Sequence, residues 1–302
     1  VSPAAGVLPA RVLILGMGWS GRLLAQQLRR HGVEVAGTVR DPAAAPADGL
    51  TRYALEAQAP VSAALRDAAA RAEAVLCSIP PDEHGDPGLR LLGEDLQRSR
   101  ALRWVGYLSS TAVYGDRAGG WVDEHSSADG STPAAVQRRL AEAQWRALAA
   151  TRGIASAVFR LPALYGRERN VLRQLAQGRA RQIVKPGQVF NRLHVQDLVA
   201  VIEAAMRRPQ AEALYLPADD EPAPPQQVLA FAAQLGGFPL PPAVAWDDPA
   251  VSPSVRRFYA SNKRIDSRGT RTRLGWQPRF PTFREGLQDA FSGDGEDTAE
   301  GR

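Results

Sequence analysis

Gly16-Met17-Gly18-Trp19-Ser20-Gly21 spaces three glycines as G-x-G-x-x-G, directly after the apolar run 12–15 and at the start of an amphipathic stretch that reaches His31. In that setting the first glycine permits a tight turn, the second lets backbone approach a pyrophosphate, and the third lets helix pack closely on strand. The N–H groups near Trp19 and Ser20 then open at the positive end of a helix, which favours an anion; the alternative is a glycine turn that holds no ligand. At the end of the next apolar run the residues read Thr38-Val39-Arg40. A site for NAD places a carboxylate there to accept from the ribose hydroxyls. Thr38 and Val39 carry no charge, whereas Arg40 offers a planar guanidinium suited to a 2′-phosphate. The expectation is NADP, with NAD possible, held by Gly16, Met17, Gly18, Trp19, Ser20, Gly21, Thr38 and Arg40; the competing reading of Arg40 is a surface ion pair with Asp41.

Such a turn works only if parallel strands and crossover helices position it. Runs 12–15, 33–39, 74–79, 104–108 and 155–159 read as strands buried on both faces. Stretches 19–31, 62–71, 88–102 and 133–151 have the length and spacing of the helices between them. The alternation predicts an α/β fold with a doubly wound parallel sheet. Beyond Gly166, prolines from Pro209 to Pro253 divide the chain into short pieces and predict a smaller, loop-rich C-terminal domain. The predicted layout is a nucleotide-binding domain over 10–168, with 193–217 returning to its sheet as a strand, a helix and another strand. The second domain takes 169–192 and 218–291, and 292–302 form a flexible polar tail.

The 302 residues are 44% hydrophobic and 23% charged with a net charge of +5, which excludes a disordered or fibrous chain. The charge favours anionic partners in general, but no basic stripe interleaved with aromatics supports nucleic-acid binding. Of 37 basic residues only Lys185 and Lys263 are lysines. The single cysteine, Cys77, and the lack of a Cys/His cluster at zinc spacing predict a reduced compartment, the cytoplasm, and no metal. Neither a signal-peptide pattern nor a run of about 18 apolar residues is present, so no membrane association is expected.

The glycine turn, the segment from Leu108 through Ser110 and Tyr114 to Asp116, Arg160-Leu161-Pro162-Ala163-Leu164-Tyr165-Gly166, Leu193-His194-Val195-Gln196-Asp197-Leu198 and Leu274-Gly275-Trp276 together resemble the extended short-chain dehydrogenase/reductase family. The resemblance spans most of the chain. It implies a Rossmann domain with a small C-terminal substrate domain, Ser110 as the active-site serine, Ser78, Ile79 and Pro80 beside the nicotinamide ribose, and Pro162 near the carboxamide. That family transfers protons through Tyr-x-x-x-Lys on one helix face. Aligning Glu142 with the family's helix glutamate puts Ala134 in the tyrosine position and Arg138 in the lysine position, so the usual acid is absent. The chain is therefore most similar to the atypical branch that keeps the glycine turn and lacks the pair. A literal Tyr259-Ala260-Ser261-Asn262-Lys263 lies about 150 residues after Ser110, in the predicted small domain, and reads as a decoy.

Two functions follow. The first is an NADP(H)-dependent oxidoreductase, epimerase/dehydratase-like in family, acting on a small carbonyl or alcohol, with sugar-like and anionic substrates among the options. Ser110 would hold the carbonyl, Tyr114 would be the nearest replacement acid, and Arg138 would supply the charge beside the ribose. Tyr114 also reads as a packing residue. The second is a catalytically silent NADP(H)-binding sensor or regulator. Arg167, Arg169, Arg173, Arg179 and Arg181 are open to two readings, an anion pocket or a solvated face. Asp197 reads as a helix cap and His194 as a hydrogen-bonding link across the domain junction. Helices 88–102 and 133–151 are expected either to pair in a homodimer or to pack on the sheet.

Overall fold

A computed structural model of the chain describes residues 6–299. Strands β1 (Arg11–Leu15), β2 (Glu34–Val39), β3 (Thr51–Ala54), β4 (Ala74–Cys77) and β5 (Trp104–Ser110) belong to the main sheet. Strand β6 (Trp121–Val122) lies outside it, and β7 (Ala155–Leu161) rejoins it. Then come β8 (Ala163–Tyr165), β9 (Gln182–Val184), β10 (Arg192–His194), β11 (Ala213–Tyr215), β12 (Ala243–Ala245) and β13 (Arg264–Ile265). The seven-stranded sheet runs β11-β7-β5-β4-β1-β2-β3, every pair parallel. Leu15 is level with Cys77 and Cys77 with Tyr107, so the carboxyl ends of β1, β4 and β5 open on one edge. This is the Rossmann-like α/β fold, and ligands of such sheets bind at that edge.

Helices α1 (Trp19–Arg30), α2 (Ala63–Arg71), α3 (Pro87–Arg98) and α4 (Pro133–Arg152) connect the strands of the first half. Side chains at Ser62, Asp86 and Thr132 each accept an N–H of the following first turn, fixing where α2, α3 and α4 begin. Alternation along β1 divides the core: Val12 and Ile14 pack toward α1, while Leu13 and Leu15 face the side covered by Leu92, Leu96, Ala141 and Trp145 of α3 and α4. The inward faces of those two helices are thus spent on the sheet, whereas Val136 and Leu140 of α4 are exposed.

The second half holds α5 (Val171–Ala176), α6 (Val195–Arg207), α7 (Pro225–Gly236), α8 (Pro253–Tyr259), α9 (Arg268–Leu274) and α10 (Phe283–Ala299). Helix α6 covers α1, and β11 forms the edge of the main sheet beside β7. The strand expected at 193 does not enter that sheet. Pro162 has no N–H to continue the β7 ladder, the chain turns there into β8, and β10 pairs with β8 in a separate two-stranded sheet. Strand β3 was not foreseen, because an edge strand with exposed Thr51 and Ala54 lacks the apolar run of its neighbours. Helix α10 continues past Ser292, where a flexible tail was expected to start; the Ser292 hydroxyl bonds to the Gln288 carbonyl one turn back, and residues 300–302 lie outside the described residues. Among the described residues no helix is long and apolar enough to cross a membrane.

Candidate functional site

Gly16 ends β1 at φ +83°, a left-handed conformation that favours glycine, and a Cβ there would stand 2.9 Å from Ile79 Cγ1. Its N–H donates to Thr38 Oγ1 (2.9 Å), and its carbonyl accepts the Ser78 hydroxyl (2.6 Å). Thr38 and Ser78 thus hold the turn from the two strands flanking β1. A Cβ on Gly21 would lie 3.1 Å from Ile14 Cγ2, the close helix-to-strand approach, while one on Gly18 would meet nothing within 4 Å. Gly18 is also the N-cap of α1 and places no side chain over the first turn, which contains no acid. Trp19 Nε1 beside it is buried with no hydrogen-bond partner among the described residues. Open space in front of uncapped N–H groups is what a pyrophosphate needs, so these residues fit a dinucleotide.

A cleft of about 1190 Å³ runs from this turn, with Gly16, Thr38, Arg40, Ser78, Ile79 and Pro80 among its walls. Asp41 does not pair with Arg40; its Oδ1 accepts the Ala43 N–H, and Arg40 makes no ion pair or hydrogen bond within the described residues. On the opposite wall Arg169 stacks over the Trp19 ring (5.0 Å to the centroid) and Arg22 pairs with Glu168, joining the start of α1 to the segment after β8. Behind Ser78 the buried Cys77 thiol donates to Asp86 Oδ2 at 3.1 Å; burial and then the Asp86 charge hold its pKa well above the usual thiol range.

Ser110 and Pro162 do not line that cleft. They share a second one of about 280 Å³ with Asn191, Phe258, Ser261 and Lys263. Strands β5 and β7 run side by side to Ser110 and Leu161, so this second cleft opens at the same carboxyl edge of the sheet as the first. Ser110 Oγ accepts the Ala112 N–H at 3.2 Å and keeps its own proton for an acceptor in the cleft.

The structure does not bring Tyr114 or Arg138 to that serine. Tyr114 is fully buried, its hydroxyl donates to the Asp123 carbonyl (2.9 Å), and Arg160 lies over its ring at 4.9 Å. Arg138 donates to the Leu108 carbonyl (2.9 Å) and the Tyr107 hydroxyl (3.3 Å), bracing α4 against β5. Ala134 is exposed. Beneath Ser110, Glu142 is 1% exposed and accepts from Ser109 Oγ (2.5 Å), Arg160 Nε (3.1 Å) and Arg160 Nη2 (2.8 Å). Burial alone would depress the Arg160 guanidinium, but the Glu142 bonds outweigh it and leave its pKa raised. Sequence reasoning noted Glu142 only as an alignment mark and gave Arg160 no partner.

The literal Tyr-x-x-x-Lys does not act as a pair. Tyr259 directs its hydroxyl at the Ile183 carbonyl (3.5 Å), whereas Lys263 enters the Ser110 cleft. His194 and Asp197 exchange the roles expected of them: His194 caps α6, its Nδ1 accepting the Gln196 N–H (3.3 Å), and Asp197 accepts the N–H groups of Arg279 (2.7 Å) and Phe280 (3.1 Å). Burial pushes His194 down to about 4, so the ring is neutral at pH 7. Of the arginines after Gly166, Arg167 pairs with Asp289 (3.0 Å) and Arg173 donates to the Arg167 carbonyl (2.8 Å).

The model of the family described as "NAD dependent epimerase/dehydratase family" matches residues 94–215. A solved structure of a functionally unknown conserved protein from Silicibacter pomeroyi is 38% identical, covering 94% of this chain and 99% of that one at a TM-score of 0.85. The chain belongs to the NAD-dependent epimerase/dehydratase family. A curated family relative, a 3-diazoavenalumate denitrifying reductase of a Streptomyces species, is 29% identical over 92% of this chain and 99% of its own length. MoeE5, solved in complex with UDP-glucose and NAD, shares the epimerase/dehydratase fold at 20% identity, 95% and 99% coverage and a TM-score of 0.74.

Proposed function

We propose that the protein is an NADP(H)-dependent oxidoreductase that acts on a small carbonyl or alcohol substrate at the Ser110 cleft. The observation that carries this reading is Arg40, which lines the dinucleotide cleft with no carboxylate bound to it and no carboxylate at Thr38 or Val39. A guanidinium without an internal partner beside the ribose end of such a cleft suits the extra phosphate of NADP. The 29% identical reductase supports the reaction class.

The reduced nicotinamide, when bound, supplies hydride. The chain's part is to hold and polarise the acceptor. The glycine turn and the first turn of α1 bind the pyrophosphate, Arg40 the 2′-phosphate, and the Ser110 hydroxyl donates to the carbonyl oxygen. Mixing the protein with NADPH and a broad carbonyl panel, and following the nicotinamide absorbance, tests the reading. Consumption of NADPH with a preference over NADH is the expected result; tight coenzyme binding with no turnover across the panel would sink it.

Tyr114 then has no catalytic part. The substitution Tyr114→Phe is expected to leave kcat within about threefold of the starting protein and to cost about 1 kcal/mol of stability through the lost bond to the Asp123 carbonyl. Steady-state kinetics beside a denaturant melt checks both.

A second reading, a silent NADP(H)-binding regulator, is favoured by one observation: position 134 is an exposed alanine and Arg138 is spent on Leu108 and Tyr107. Such a regulator must bind NADP+ and NADPH with different affinity, since equal affinity for both states shifts no equilibrium. Calorimetry with each form separates it from the enzyme.

A further inference from the structure

We propose that Lys263 is the proton donor of the Ser110 cleft, taking the part of the tyrosine absent at position 134. The proposal rests on the oxidoreductase reading above and adds the residue that reading lacks. Lys263 lines the same cleft as Ser110 and is only 7% exposed. An ammonium is seldom so buried without a carboxylate in direct contact. Here Nζ donates to Ser261 Oγ at 2.7 Å and forms no salt bridge within the described residues, so the rest of its donor capacity is open to a ligand.

The backbone that presents it is clamped. Asn191 donates from Nδ2 to the Lys263 carbonyl (2.9 Å) and accepts the Ile265 N–H at Oδ1 (2.8 Å). Tertiary contact therefore brings to Ser110 a side chain 153 positions away in sequence. The charged groups around it are Asp116 and Arg117 from the segment after Tyr114, and Arg257 of α8 on the cleft wall. Burial pushes the ammonium down to about 8; Asp116 opposes that shift and Arg117 adds to it. A donor poised there is still charged at pH 7, yet gives its proton far more readily than an ordinary lysine.

In the step this assigns, the carbonyl carbon bound at Ser110 accepts hydride from NADPH and the C=O π pair moves onto oxygen. An N–H bond of Lys263 breaks and its proton joins that oxygen. The products are an alcohol, NADP+ and a neutral amine, which regains a proton from solvent.

Two measurements test it. Reductive methylation with ¹³C-formaldehyde labels both lysines, and the methyl resonance that disappears in Lys263→Arg is expected to titrate near pH 8. Titration at the ordinary lysine value, about 10.4, would overturn the proposal. With a carbonyl of the panel that is turned over, kcat for NADPH oxidation is expected to fall above pH 8. Lys263→Met should lower kcat by about 10²–10³-fold, abolish that alkaline limb and leave the NADPH Kd unchanged. Lys263→Arg, which keeps the charge and serves if the methionine variant does not fold, should hold KM while kcat stays low. Variants with kcat within threefold of the starting protein and the same alkaline limb would overturn the assignment and leave the oxidoreductase standing. NADPH binding without turnover by the unsubstituted protein would overturn both.

Discussion

Replacing Arg40 with glutamate is expected to weaken NADPH binding by about 10–100-fold or more, while NADH binding stays the same or improves. Hydrogen bonds to a charged group contribute about 1.5–3 kcal/mol each, and every 1.4 kcal/mol is tenfold in affinity. The guanidinium has no partner among the described residues, and Asp41 is turned to the Ala43 N–H. The substitution thus breaks no internal pair, and the full change falls on the ligand. It also installs a carboxylate near the end of β2, where a ribose 2′-hydroxyl would find an acceptor. Fluorescence titration with both coenzymes reads the result. An equal loss for NADPH and NADH would mean that Arg40 does not meet the 2′-phosphate.

The second large effect is on stability. Glu142→Ala is expected to cost about 3–5 kcal/mol, because it strands the Arg160 guanidinium, 5% exposed, with no carboxylate inside the fold. At this chain length that lowers Tm by roughly 5–8 °C. The Ser109 hydroxyl loses its acceptor as well, so the strand end carrying Ser110 loosens and kcat falls with Tm. The double substitution Glu142→Met with Arg160→Met removes both charges and is expected to be clearly more stable than Glu142→Ala, since apolar replacement of a complete buried pair is often neutral. Thermal unfolding followed by circular dichroism decides between them. A single-variant loss under 1 kcal/mol would mean that solvent reaches Arg160.

Where a residue's task is set by its immediate neighbours in sequence, the sequence revealed it. Gly16, Gly18 and Gly21 each face the contact their spacing implies: a left-handed turn, open space, and strand β1. The buried strands of the main sheet were legible for the same reason, as short runs of four to seven mostly apolar residues need no partner to be recognised. Edge strand β3 was not, because Thr51 and Ala54 face solvent.

What stayed hidden was set by distant chain. Thr38 lines the cleft, but its hydroxyl is committed to the Gly16 N–H, a bond that spacing alone does not reveal. Tyr114 and Arg138 looked available because the carbonyls of Asp123 and Leu108 that occupy them come from backbone, which carries no side-chain signature. Lys263 was set aside on a sound rule about the spacing of Tyr-x-x-x-Lys; the rule says nothing of a lysine delivered alone, just before β13, by backbone that Asn191 holds in place.

The lone sulfhydryl has a practical outcome for experiments on this molecule. Cys77, the last residue of β4, is fully buried and keeps its proton in an S–H bond donated to Asp86, whereas thiol reagents attack the thiolate. A cysteine engineered onto the exposed face of α8 would therefore be the one sulfur a maleimide dye finds. Paired with a second dye on the rim near Arg40, it would let single molecules report whether α8 and the glycine-turn cleft draw together as coenzyme arrives.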